Sequence, residues 1–270
     1  LESTVPVGTT QNVVADTVFA ARPELKGAIA VAHCPERVLP GQILRELIEN
    51  DRVVGGIDTH STETAAEFYL QFVNGEVLVT DAATAEMAKL TENSYRDVNI
   101  AFANELSMIC DELQINVWEL IRLANRHPRV NILNPGPGVG GHCIAVDPWF
   151  IVSSAPETAR LIRTAREVND FKPEWVIEKV RHKAGRFKHP VVGCLGISFK
   201  ADIDDVRESP ALEIVKTLLR EPDMEVLVTD PFAAPVKEFD LLPVNEVLQR
   251  ADIVLVLVDH KPYRKLSAAA

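Results

Sequence analysis

Residues 191–258 constrain the fold most. VVGCLGI (191–197), EVLVTD (225–230) and IVLVLV (253–258) are near-continuous apolar runs, as strands buried on both faces of a parallel sheet are. A helical stretch at 210–220 lies between the first two. Strand and helix alternate, which predicts a doubly wound α/β sheet. The connection at 198–210 leaves a strand and enters a helix, a place where a phosphate meets backbone N–H groups.

The first half of the chain is more mixed. Residues 1–8 read as the end of a strand running into a turn, 9–25 as a helix with Pro23 near its end, and 28–32 as a short buried strand. Strands at 53–57 and 76–80 then flank a helix at 60–72. From Thr84 the pattern becomes long and helical: Met87, Leu90, Val98, Ala101, Phe102, Leu106, Ile109 and Leu113 recur mostly at three- and four-residue steps, an apolar helix face. Lys89, Asn93 and Arg96 make a second, polar stripe. Asn116, followed by Glu119, caps a helix over 117–125. Arg160, Arg163 and Arg166 on a helix at 159–170 read as a solvated stripe, and Pro173 falls within or just before a further helical stretch at 175–186.

With 270 residues, 47% hydrophobic and 25% charged, the chain has an ordinary globular composition with room for about two domains. No apolar run reaches the length of a membrane span and no signal-like segment opens it, so the default expectation is a cytoplasmic location. Cys34, Cys110, Cys143 and Cys194 are widely spaced without C-x-x-C, which indicates neither a metal site nor a disulfide framework. A net charge of −11 argues against nucleic acid or an anionic membrane as partner. An anionic small ligand needs locally placed Lys and Arg.

Chemistry concentrates at NPGPGVGGHCIAVDPW, residues 134–149. Four glycines and two prolines in its first eight residues allow a backbone to approach a ligand closely. The text GPGVGG (136–141) satisfies G-x-G-x-x-G, but a dinucleotide fingerprint needs a strand before it and a helix at its third glycine. Here NILNP (131–135) precedes it, with Asn131 and Asn134 in place of a clean strand, and Pro148 follows where a helix would not welcome it. Cys143, on backbone with little cover, is a candidate nucleophile, although cysteine also serves as a small buried hydrophobe. His142 is a poor base for it if the chain is extended, because adjacent side chains then point apart.

GGHCIAVD (140–147) resembles the catalytic cysteine loop of the UDP-glucose/GDP-mannose dehydrogenase family, and the flanking ANRHPRVNIL (124–133) and PWFIV (148–152) resemble its branch acting on UDP-N-acetyl-D-mannosamine. The similarity runs over nearly the whole chain. It implies a remnant of an N-terminal Rossmann-type NAD-binding domain at 1–80, a central helical dimerisation domain with the cysteine loop at 81–186, and a C-terminal Rossmann-like UDP-sugar domain at 187–270. The segment STVP (3–6) lies late in the family's first domain, so the resemblance implies a fragment lacking about a hundred residues, roughly one small domain, and further residues after 270.

Roles follow from the same resemblance. Cys143 is the nucleophile. In AEMAKLTEN (85–93), Lys89 and Asn93 face the reacting carbon; Asp147, and Glu36 of CPERVLPG (34–41), position or deprotonate water. Arg129, Asn131, Gly138, Gly140 and Lys200 are expected to bind the nucleotide sugar, Arg129 from a neighbouring subunit of a homodimer or larger homo-oligomer. Thr4 and Arg207 are expected on the cofactor side, Thr4 also holding the water; SFKADIDDVRESP (198–210) supplies Lys200 and Arg207. The implied reaction is NAD-dependent, two-step oxidation of a UDP-sugar alcohol to the acid through a cysteine thioester. The glucose-specific branch carries a lysine where this chain has Val146, which favours an N-acetylhexosamine, with the N-acetylglucosamine epimer and glucose as alternatives. Two rivals are a one-step dehydrogenase, which needs no nucleophilic cysteine, and a non-catalytic nucleotide-sugar binding module.

Overall fold

A computed structural model describes residues 1–38 and 42–266, so the last part of CPERVLPG, 39–41, lies outside the described residues. The chain divides into two compact units, Leu1–Tyr95 with Val146–Ile162, and Arg96–Ala145 with Arg163–Ala270.

In the first unit β1 (Ala32–His33), β2 (Arg52–Gly56) and β3 (Val77–Asp81) lie in the order β1-β2-β3, antiparallel then parallel. The β2-to-β3 crossover is α3 (Thr59–Tyr69), whose first turn is closed by the Asp58 carboxylate accepting from Ser61 N–H at 2.7 Å. Cys34, Val54, Tyr69 and Val73 form a small core between sheet and helix. The strand expected at 28–32 is displaced to β1 because Ala28 and Ile29 spend their N–H groups on the Leu25 carbonyl in a turn. The helix expected at 9–25 runs without interruption from a wide-coiled stretch Thr10–Ala15 into α1 (Asp16–Ala21), and Arg22 separates it from a single turn Pro23–Leu25. Arg22 leaves the helical region, as the residue before a proline tends to. Between α1 and β2 also lies α2 (Ile43–Glu49).

Helix α4 (Ala82–Glu112) contributes residues to both units. Its expected apolar face is only partly buried: Leu90 and Ala101 are inside, whereas Met87, Phe102 and Ile109 are exposed. Small residues, Ala85, Ala103 and Cys110, and polar ones, Glu86, Ser94, Asp97 and Asn104, take other inward positions. Glu86 caps the first helical stretch, accepting from Thr10 N–H at 2.7 Å and Thr10 Oγ1 at 2.6 Å. Asn116 caps α5 (Val117–Ala124) as expected, accepting from Trp118 and Glu119 N–H. Helix α6 (Asp147–Ser154) follows the cysteine loop and carries Pro148 in its first turn. That corrects the sequence reading: a first-turn proline deletes an N–H that has no helical partner anyway.

In the second unit β4 (Val191–Leu195), β5 (Glu225–Thr229) and β6 (Ile253–Val256) are all parallel in the order β5-β4-β6, linked through α8 (Pro210–Leu218) and α9 (Val244–Arg250). The chain therefore crosses from one side of β4 to the other, the doubly wound pattern expected. Helix α7 (Arg160–Ala184) is one continuous helix through Pro173, not two. Buried residues on both sides, Arg166 and Asn169 before and Ile177 and Val180 after, hold it across a proline that alone costs about 3 kcal/mol. Ile177 and Val180 join Val192, Cys194, Ile214, Val215 and Leu218 in the largest core of the chain. Among the described residues no helix is long and apolar enough to cross a membrane.

Candidate active site

The glycine loop is seated in the second unit by close backbone approach. Gly138 has φ +146°, and a Cβ there would meet Pro210 and Pro173 at 3.0 and 3.2 Å; one on Gly140 would lie 2.5 Å from the Glu208 carbonyl oxygen. Neither position tolerates a side chain. A buried amide chain holds the loop from the other side: Gly136 N–H donates to Asn104 Oδ1 at 2.8 Å, Asn104 Nδ2 to Asn169 Oδ1 at 2.9 Å, and Asn169 Nδ2 to Asp97 Oδ1 at 2.8 Å. Arg166 completes it, donating to Asp97 at 2.6 Å and pairing with Asp170. Arg166 is 1% exposed, so the solvated arginine stripe is corrected at this position: Asp97 lies on the facing helix and draws the guanidinium inward.

Cys143 is exposed on a turn spanning 142–146, its Sγ 3.2 Å from His142 Nδ1. The chain turns here instead of extending, so the two neighbouring side chains meet, contrary to the sequence expectation. An imidazole at that distance can take the thiol proton or pair with the thiolate. Asn125 pins the preceding segment through both amide atoms to Ile132; Arg129 and Asn131 on it are exposed.

The first unit brings a second group together. Asn93 Nδ2 on α4 donates to Asp147 Oδ2, with Asp147 4% exposed at the start of α6. Lys89 is half-buried one turn earlier on α4. Glu36 follows β1; its Oε1 accepts from Arg37 and Val38 N–H at 2.7 and 2.9 Å and lies 3.7 Å from Nη1 of the buried Arg52. Cys34 and Glu36 donate N–H to the Leu1 and Glu2 carbonyls, which sets the segment carrying the half-buried Thr4 along β1.

The strand ends of the second sheet carry the remaining predicted groups. Lys200 is exposed on the connection after β4. Arg207 is engaged bidentately by Asp205 (Nε to Oδ1 2.9 Å, Nη2 to Oδ2 2.7 Å), which draws that carboxyl down to about 2. A cavity of about 500 Å³ is lined by Asp202, Phe232, Lys261, Pro262 and Lys265. Beside it lie Ser198, His260 and Asp230. They do not form a catalytic triad, because serine and aspartate both face the same ring nitrogen, Nε2.

Three models of one family match along the chain: its NAD binding domain over residues 1–73, its central domain over 83–171 and its UDP binding domain over 193–270. The UDP-N-acetyl-D-mannosamine dehydrogenase of Campylobacter jejuni is 54% identical over 97% of this chain and 68% of that protein. The chain belongs to the UDP-glucose/GDP-mannose dehydrogenase family. Among other relatives, the NDP-N-acetyl-D-galactosaminuronic acid dehydrogenase of Ralstonia nicotianae is 60% identical over 98% of this chain, which spans 66% of that relative's length. The structure of a UDP-N-acetyl-mannosamine dehydrogenase from S. aureus superposes with a TM-score of 0.86 at 44% identity, covering 99% of this chain and 64% of that one.

Membership of this family implies a dinucleotide, which a glycine turn opening a helix would fit. The Gly136–Gly141 text does not, since no strand precedes it and its glycines pack against Phe199 and Pro210. The turn from β2 to α3 does not either, because the Asp58 carboxylate already occupies that helix N-terminus. Thr4, on the segment hydrogen-bonded beside β1, and Glu36, a carboxylate just after β1, supply no seat for a pyrophosphate either. Sequence reasoning passed over Asn104 and Asn169, because a polar residue within a helix carries no signal of its partner. His260 did carry one, standing four residues beyond the parallel strand β6, in the region where ligand-facing groups collect.

Proposed function

We propose that the chain forms the greater part of an NAD-dependent dehydrogenase that oxidises the primary alcohol of a UDP-N-acetylhexosamine, UDP-N-acetyl-D-mannosamine first among them, to the carboxylate. The observation that carries this reading is Cys143, an exposed thiol beside an imidazole on a loop that admits no side chain at Gly138 or Gly140. NAD, when bound, accepts the hydride in each of two oxidations. Between them the Cys143 thiolate adds to the aldehyde carbon, forming a C–S bond and a thiohemiacetal. Oxidation of that adduct leaves a thioester; water attacks its carbonyl, the C–S bond breaks, and the thiolate departs from the carboxylic acid. His142 is placed to hold the thiol proton. Lys89 and Asn93 serve the developing oxyanions and Asp147 and Glu36 the water, roles that rest on the family resemblance; the Asn93–Asp147 hydrogen bond supports treating those two as one device. Arg129, Asn131 and Lys200 are assigned to the nucleotide sugar and Thr4 and Arg207 to the cofactor side, in a homo-oligomer, on the same basis.

In a full-length parent, Cys143→Ala should abolish acid formation, because no thioester can form. Normal acid yield from that variant would sink the mechanism and favour a one-step dehydrogenase. Turnover of the N-acetylmannosamine, N-acetylgalactosamine, N-acetylglucosamine and glucose UDP-sugars should rank the first highest in kcat/KM. The galacto compound is the specific rival, given the name of the relative at 60% identity; preference for glucose would overturn the N-acetylhexosamine assignment. Strong discrimination between epimers requires hydrogen bonds that the wrong epimer leaves unpaired.

A further inference from the structure

The ends of all three strands of the second sheet meet on one buried side chain. His260 stands four residues beyond β6, is 0% exposed, and lies between the rings of Phe232 and Tyr263 at 5.1 and 5.5 Å. Its Nδ1 accepts from Asp202 N–H at 2.9 Å. Its Nε2 lies 3.2 Å from Asp230 Oδ2 and 3.3 Å from Ser198 Oγ.

The protons in this cluster can be assigned one by one. A backbone N–H only donates, so Nδ1 must present its lone pair to Asp202. Asp230 accepts from Ile197 N–H at Oδ2 and from Phe232 and Ala233 N–H at Oδ1, each at 2.8 Å. Burial pushes its carboxyl up, yet the hydrogen bonds from those three N–H groups draw it back below the usual range, so Asp230 is an acceptor. Ser198 has one hydroxyl proton, and it is committed to the Lys200 carbonyl at 2.8 Å. Every neighbour of Nε2 therefore accepts, and Nε2 must donate. Only the neutral imidazole with its proton on Nε2 satisfies the whole set.

That single ring holds the chain on both sides of Lys200. Ser198 is tied to it directly and to Lys200 through its hydroxyl; Asp202 is tied to it through its N–H. Asp202 takes φ +62°, a conformation aspartate tolerates but does not prefer. Its carboxylate returns a contact by accepting from Lys261 N–H at 2.9 Å. The sheet order β5-β4-β6 puts a crossover reversal beside β4, where ligands of open α/β sheets bind outside the carboxyl ends of the strands.

We infer that His260 is a positioning residue, held as the Nε2–H imidazole, which fixes the 197–202 segment so that Lys200 is presented to the diphosphate of the nucleotide sugar. This rests on the nucleotide-sugar reading of that loop. The test uses the full chain, UDP as probe, and titration calorimetry. Wild type should bind UDP; His260→Ala should weaken binding about tenfold or more, because buried partners are left unpaired. His260→Asn, which returns an acceptor at the place of Nδ1, should recover affinity to within about threefold of wild type. Long-range proton–nitrogen correlation spectra should show His260 protonated at Nε2 and bare at Nδ1. No UDP binding by wild type would fell the loop reading while leaving the tautomer to be judged by its spectrum. Binding by wild type with equal binding by His260→Ala, no rescue by Asn, or a proton on Nδ1 would each overturn the positioning role. Should His260→Ala fail to fold, Ser198→Ala takes its place, since it releases the Lys200 carbonyl without emptying the ring site; unchanged UDP affinity in that variant would overturn the inference equally.

Discussion

The two three-stranded sheets, one mixed and one all parallel, differ most in how their buried polar groups are treated. In the sheet β5-β4-β6 a large apolar core lies under strands whose carboxyl ends converge on His260, Asp230 and Ser198, all hydrogen-bonded. In the sheet β1-β2-β3 the core is four buried residues and two half-buried neighbours. His33 there is 0% exposed with neither ring nitrogen partnered, and Arg52 is 1% exposed with Nε unpartnered, among the described residues. Strand β3 also exposes Leu78 and Val79. Buried polar groups that are fully paired rigidify a site, whereas unpaired ones are a standing cost. The strand ends of the second sheet are thus fixed in one geometry, and the first carries unspent polar capacity.

The comparison is sharpest at Asp230. Replacing it by alanine leaves the N–H groups of Ile197, Phe232 and Ala233 and the His260 Nε2–H without their acceptor, and should cost about 3–5 kcal/mol of unfolding free energy, measured by denaturant titration. A loss below about 1 kcal/mol would remove the distinction between the sheets.

The next largest effect is on α7. Burial pulls Lys172 down to about 8, against a partly compensating pull from Asp111; it donates to Ser107 at 2.6 Å and lies 3.8 Å from the centre of the Trp175 ring. A lysine depressed in the folded state binds fewer protons there than in the unfolded chain. Its penalty is therefore full below the folded value and is relieved as pH rises from about 8 to 10.5. Relative to Lys172→Met, wild type should gain stability across that window, by up to about 3 kcal/mol. Parallel curves for the two proteins would show that the ammonium is not desolvated.

The smallest effect tests the first sheet. Burial lowers the His33 value, only partly offset by Glu86. The unfolded chain then takes up this proton first as pH falls through the ordinary histidine range, so stability drops on that side. His33→Leu should be neutral or stabilising by up to about 1 kcal/mol at neutral pH and should flatten the acid limb. A clear loss at neutral pH would reveal a partner for the ring and erase the contrast.

Much of this was legible without coordinates, for definite reasons. The parallel strands of the second sheet are apolar on both faces, and that pattern has few other uses; the partners of Gly138 and Gly140, namely Pro173, Glu208 and Pro210, are distant in sequence, whereas Asn116 acts through nearby backbone, which sequence order specifies. Cys143 and its loop were found the same way. Sequence by itself therefore determined the strand–helix alternation, the caps and the candidate nucleophile, because each depends on residues a few positions apart. Tertiary structure alone decided that His142 meets Cys143, that Arg166 is buried against Asp97, that α7 continues through Pro173, and that His260 joins Asp202, Ser198 and Asp230. Those contacts unite positions distant in sequence, or depend on whether a short segment turns or extends. The energies of the Arg166, Pro173 and His260 arrangements come from burial, which exists only once the chain has closed around them.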